Sequence, residues 1–116
     1  MSLHDPKTYA EFIGGFRAAT LHEQWEATVA KVGCKVFCLR GDDTGVLVFK
    51  VSELAFDGLV ELPGIGQAAY FAKRQWVRVE PDALEDKLLR GYIGQSYATV
   101  AGKLTRKLRA ELGIEV

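Results

Sequence analysis

Apolar residues recur along this chain with two different periods, and the changes of period divide it into elements. Tyr9, Phe12, Ile13 and Phe16 share one helical face. Asp5-Pro6 opens that helix: the carboxylate can accept orphan amides, and a proline at the first helical position forfeits no hydrogen bond. Gly14-Gly15 weakens it by about 1 kcal/mol per glycine relative to alanine, so the helix should stop near residues 18–21. Over residues 25–51 the pattern is that of strands. Segments 28–32 and 35–40 flank Gly33-Cys34, a two-residue hairpin loop. Glycine in its first position predicts a type II′ turn, which spares Cys34 a positive φ. Gly41-Asp42-Asp43-Thr44-Gly45 is a polar turn. The run Val46-Leu47-Val48-Phe49-Lys50-Val51 is apolar on both faces and belongs in the middle of an antiparallel sheet.

Ser52 caps a short helix expected to reach Leu62, with Leu54, Leu59 and Leu62 as packing residues and Phe56 nearby. Pro63 disfavours helical geometry at the residue before it, and Gly64 leads the chain away. An irregular stretch to Arg74 precedes a strand over residues 75–80. Residues 82–111 then read as one long helix, with Leu84, Leu88, Leu89, Tyr92, Ile93, Val100, Leu104 and Leu108 on one stripe. Asp82 and Glu85 resemble a capping box at its start. The order (helix, three strands, helix, a strand or two, long helix) predicts an α+β two-layer sandwich with its helices on one side of the sheet, a single domain over residues 1–116.

Composition narrows the functional classes. Fifteen acidic and fifteen basic residues cancel, so the whole chain exerts no net pull on nucleic acid. The charges are unevenly spread: residues 1–66 hold six basic and nine acidic side chains, and residues 67–116 hold nine and six. Cys34 and Cys38 stand alone, which fits neither a zinc site nor a disulfide framework, and reduced thiols imply a cytoplasmic protein. No apolar run approaches the roughly 18 residues of a membrane span. Met1-Ser2-Leu3 has the look of a cloning remnant.

Several segments together resemble the MmcQ/YjbR family of small bacterial proteins. They are Gln24-Trp25, Lys31-Val32-Gly33-Cys34-Lys35-Val36-Phe37, Phe49-Lys50-Val51-Ser52, Leu62-Pro63-Gly64, Ala69-Tyr70-Phe71-Ala72, Trp76-Val77, Ser96-Tyr97, and the stretch from Lys103-Leu104-Thr105 through Leu112-Gly113. They follow the family's order over residues 9–113. Two positions depart from its pattern: Gly33-Cys34 stands where the family often has Gly-Gly, and Ala68-Ala69-Tyr70 where it often has Ala-Pro-Tyr, which removes a stiffening proline from that loop. The resemblance implies a curved antiparallel sheet with helices mainly on one face and DNA binding of a so-called double-wing type. It supplies no catalytic residues.

Two basic groups are candidate phosphate contacts. Lys103, Arg106, Lys107 and Arg109 cluster near the end of the expected long helix. There the macrodipole alone would favour each cation by about 0.3–1 kcal/mol, with no ligand required. Lys73, Arg74 and Arg78 surround Trp76, a combination suited to phosphate contact and stacking. Strand alternation puts Trp76 and Arg78 on one face, so either Arg78 lies at a rim or the indole is partly open. Ser96 falls on the apolar stripe, where its hydroxyl is expected to bond a carbonyl one turn earlier. His4 and His22 offer it no base, and no nucleophile–base pair is visible elsewhere. Asp43-Thr44-Gly45 and the Gly64-to-Ala69 match to G-x-G-x-x-A lack the flanking structure their motifs need, Arg40-Gly41-Asp42 lacks a secretory context, and all three read as turns.

The sequence therefore predicts a monomeric, non-enzymatic DNA-binding domain without cofactor or metal. Its contacts run from Lys73, Arg74, Trp76, Arg78, Lys103, Arg106, Lys107 and Arg109 to the phosphate backbone, with little base readout. The competing expectation is a protein- or small-ligand-binding domain that uses the open sheet face or the surroundings of Trp76.

Overall fold

A computed structural model describes residues 2–114. The elements are α1 (Pro6–Ile13), β1 (Thr20–Gln24), β2 (Ala27–Val32), β3 (Lys35–Gly41), β4 (Leu47–Lys50), α2 (Glu53–Leu59), β5 (Ile65–Gln67), β6 (Trp76–Val79), α3 (Asp86–Gly102) and α4 (Arg106–Leu112). The strands form one antiparallel sheet in the order β1-β2-β3-β4-β6-β5, an α+β fold with the doubly apolar β4 inside it as expected. Among the described residues no helix is long and apolar enough to cross a membrane.

Local chemistry explains most boundaries. Asp5 accepts from the Thr8 amide at 3.0 Å and caps α1, and Ser52 accepts from Ala55 at 3.1 Å and caps α2. Alternation along β2, β4 and β6 sends Ala30, Val32, Leu47, Phe49, Val77 and Val79 toward α1 and α3, where they meet Tyr9, Ile13, Leu89 and Ile93 in the main core. The opposite face carries a smaller cluster of Ala27, Val29, Leu39, Val48, Ala68 and Trp76. Leu3, which the sequence suggested was part of a cloning remnant, is fully buried, and its amide donates to Asp86 at 2.7 Å; Met1 lies outside the described residues.

Five expectations are corrected. First, the helix of residues 82–111 is two helices. Thr105 caps α4, its hydroxyl accepting from the Leu108 amide at 3.1 Å, and so ends α3 at Lys103. Second, Asp82 is not a cap: it sits at φ 68° in a turn, and α3 starts from Glu85 without a side-chain cap bond. Third, Gly33 and Cys34 both have positive φ, 57° and 66°, so the hairpin turn is type I′, which matches strand twist better than its rivals. Fourth, α1 ends at Gly14, and the polar, exposed segment Thr20–Gln24 forms an additional edge strand. Fifth, α2 ends at Leu59, leaving Leu54 and Leu62 exposed where packing was expected.

Candidate functional site

The open face of the sheet holds an apolar trough of about 560 Å3. Its floor is Ala27, Leu39 and Val48, from β2, β3 and β4, and its walls are Trp25 and residues 68–71. Among the described residues Arg78 is the only charged one lining it. Trp25 is 63% exposed and Tyr70 fully exposed, whereas Phe71 is half-buried. The rings run in series: Trp25 to Phe71 at 6.4 Å edge-on, then Phe71 to Trp76 at 4.6 Å. Trp76 is nearly buried, so of the two alternatives posed by alternation it is Arg78 that takes the more open position.

Strained backbone presents these rings. Trp25 and Glu26, at φ 58° and 56°, form the two-residue turn between β1 and β2, and Tyr70 and Arg74 are also left-handed, at 69° and 62°. Left-handed geometry costs a non-glycine residue roughly 1–2 kcal/mol. Such outliers persist where the surrounding structure enforces them, often at functional sites. For residues 68–74 the enforcing group is Gln67. Its amide nitrogen donates to the carbonyl of Ala68 at 2.8 Å and more weakly to those of Phe71 and Ala72, and its oxygen accepts from the Arg74 amide at 3.0 Å. The loop is thus held by a side chain.

A second pocket, of about 380 Å3, lies where β3 begins and β4 ends, against the close of α3. Lys35, Lys50 and Lys103 stand around it, over Val36, Trp76, Val100 and Leu104. Lys50 Nζ is 5.9 Å from the Trp76 ring centroid. Among the described residues no carboxylate pairs with any of the three. Partial burial, and then the neighbouring Lys103 ammonium, hold the Lys50 pKa below its usual range. Trp76 lines this pocket beside the Lys50 ammonium, and its ring also packs against Phe71, a wall of the trough.

The predicted cations separate. Trp76 and Lys103 share the lysine pocket, and Arg78 lines the trough while paired to Glu80. Arg74 turns away to Asp57 at 2.7 Å and Glu53 at 3.7 Å. The guanidinium holds the Asp57 carboxyl below the usual carboxylate range. Arg109 donates to the Gly102 carbonyl at 2.9 Å and so closes the end of α3. Lys73, Arg106 and Lys107 are exposed and line neither space. The break at Thr105 also undoes the dipole explanation for Arg106 and Lys107, which now occupy the first turn of a helix, where cations are disfavoured. Sequence reasoning did not single out Trp25, Tyr70, Phe71, Lys35 and Lys50 as a site. The three aromatics carry one local signal, large rings in turn segments, and the two lysines carry none.

Ser96 is structural, as expected, but its partners are in the sheet: it donates to the Phe37 carbonyl at 2.6 Å and accepts from the Lys50 amide at 2.9 Å. Among the described residues no group of three or more acidic, cysteine or histidine side chains is placed to hold a metal ion.

Comparison with known proteins agrees with this architecture. The YjbR family model matches residues 15–99. No curated protein gives a significant match. Among solved structures, Deinococcus radiodurans protein DR2400, with a DUF419 domain, superimposes with a TM-score of 0.83 at 22% identity, over 94% of this chain and 88% of that one. A Pseudomonas syringae protein superimposes at 0.70 with 18% identity, over 83% of this chain and 98% of that one. At these identities the likeness is one of fold.

Proposed function

The chain belongs to the YjbR family, and from that premise and the open face we propose a non-enzymatic domain that binds single-stranded nucleic acid. Unpaired bases stack along Trp25, Tyr70 and Phe71, and the backbone that follows them runs past Trp76 to the lysines. The observation that carries this reading is the contact of Phe71 with Trp76, which joins a wall of the aromatic trough to a wall of the lysine pocket. Single-strand sites combine these same parts: aromatic platforms, at about 1–3 kcal/mol per stacked base, beside a cationic track. A neutral chain can do this without a basic domain, because stacking replaces part of the electrostatic affinity. Duplex phosphate binding through Arg74, Arg78 and Arg109 loses support, since those three are engaged by the protein's own carboxylates and carbonyl.

Fluorescence anisotropy with a labelled oligothymidylate and its duplex tests the proposal. Saturable binding that favours the single strand, and is lost in Trp25→Ala with Tyr70→Ala, supports it. Equal affinity for the duplex, or indifference to the double substitution, overturns it. The apolar lining of the trough favours a second reading, a small apolar ligand or a protein side chain seated there. That reading predicts no binding of oligonucleotide, together with quenching of Trp25 fluorescence by an uncharged apolar probe such as N-phenyl-1-naphthylamine.

A further inference from the structure

We propose that the pocket between Lys35, Lys50 and Lys103 is a site for a dianionic phosphate group, so that the domain recognises a phosphorylated strand end rather than the middle of a strand. The inference rests on the single-strand reading for the identity of the strand, but the pocket argument stands on its own geometry. Three lysines from separate elements (the start of β3, the end of β4 and the close of α3) line one space with an apolar floor. A solvated surface disperses like charges or interleaves them with carboxylates, and here none of the described carboxylates pairs with the three. Lys50 is partly withdrawn from water beside Trp76, and this, followed by the charge of Lys103, holds its pKa down. Uncompensated like charges at a concave site cost the free protein stability that an anion would return.

The charge count selects the anion. A backbone phosphodiester carries one negative charge and is met by one or two cations on an open track. A terminal phosphomonoester carries about −1.5 to −2 near pH 7 and three acceptor oxygens, which three lysines can each address. Lysine suits such a group as a movable point charge, where arginine would impose a planar fork. The trough adjoins the pocket through Trp76, so the base next to a terminal phosphate would lie at the aromatic face. The same chemistry would hold a free phosphate or a small phosphomonoester.

Calorimetric titration of the full chain with inorganic phosphate, and anisotropy titration with an oligothymidylate bearing either a 5′- or a 3′-terminal phosphate or none, separate the possibilities. The expected result is measurable phosphate binding and roughly tenfold tighter binding of one phosphorylated end, each reduced at least about tenfold by Lys103→Met. Lys50→Met, which keeps the stem against Trp76, serves as the second variant and should act likewise. Phosphate binding without any oligonucleotide binding would leave this site standing and assign it to a small phosphorylated ligand, while removing the strand-binding reading. Oligonucleotide binding indifferent to both terminal phosphates, with no uptake of inorganic phosphate, would overturn the pocket's role and leave the trough's intact.

Discussion

The backbone amide of Lys50 donates to the Ser96 hydroxyl at 2.9 Å, and that hydroxyl in turn donates to the Phe37 carbonyl at 2.6 Å. One buried side chain of α3 thus stands where a strand-to-strand bond would be. The reason is a register shift beside it: Ala30 faces Cys38 but Lys31 faces Val36, so Phe37 is the extra residue of a bulge. The bulge turns Phe37 and Cys38 together toward the helices, and the β3–β4 pairing ends at Cys38 with Phe49. Ser96→Ala would leave a buried donor and a buried acceptor unpaired. It is expected to cost roughly 2–4 kcal/mol in urea unfolding, with an unchanged denaturant slope.

The turn of Trp25 and Glu26 sets binding against stability. Both residues are left-handed in a type I′ turn, whose preferred sequence is Asn-Gly. Glu26→Gly should raise stability by about 0.5–1 kcal/mol and leave oligonucleotide affinity intact, because it relieves strain without touching the indole. Adding Trp25→Asn should retain a stability gain but forfeit most of the affinity. Matched urea and anisotropy measurements on the two variants check this. A double variant that binds like the wild type would show that the exposed indole has no part in binding.

Gly33 and Cys34 make the complementary case. Cys34→Gly removes a left-handed side chain from an exposed loop and should stabilise by about 0.5–1 kcal/mol. Gly33→Ala should destabilise on two counts. Its φ is 57°, and an added Cβ would lie 2.7 Å from Leu104, a floor residue of the lysine pocket. The loss should therefore appear both in unfolding and in weakened uptake of phosphate.

These two turns also show where the sequence was legible. Asp5-Pro6, Ser52 and the doubly apolar β4 carry their signals within a few residues, and each was read correctly. The turn type was not, because strand twist across the pair outweighed the strain at Cys34. Thr20–Gln24 has no buried residue and so no alternation to read; only pairing with β2 makes it a strand. The stripe through Val100, Leu104 and Leu108 fits an unbroken helix, so the break depends on Thr105 preferring to cap. The lysine pocket was illegible for a different reason: Lys35, Lys50 and Lys103 are distant in sequence, and sheet register together with the Ser96 contact unites them.

Charge reversal should rank the cations. Lys50→Glu with Lys103→Glu is expected to abolish most strand binding, whereas Arg106→Glu with Lys107→Glu should cause a much smaller loss, since neither lines the site. Each phosphate neutralised contributes about 0.7 to the slope of log affinity against log salt for single strands. Anisotropy at several salt concentrations should accordingly give a shallower slope in the Lys50/Lys103 variant, while the Arg106/Lys107 variant keeps the wild-type slope. The reverse ranking would return the interface to α4.

Alkaline pH should unfold the protein through its core. Burial pushes the Cys38 thiol from its ordinary 9.0 up to about 12. Burial likewise raises the Tyr9 hydroxyl, which donates to the Thr28 carbonyl at 2.9 Å. Below pH 9 the thiol holds its proton in both folded and unfolded chains, and its contribution to stability is fully present. Above that the unfolded chain loses the proton first, so stability falls as pH rises toward 12. Lys50 acts in the opposite sense: its depressed value makes the unfolded chain the better proton binder below the usual lysine pKa, so its contribution grows with pH. Cys38→Ala isolates the thiol. Its urea midpoint should decline less steeply than the wild type's between pH 9 and 12, and identical slopes would assign the alkaline transition to the tyrosines Tyr9 and Tyr97.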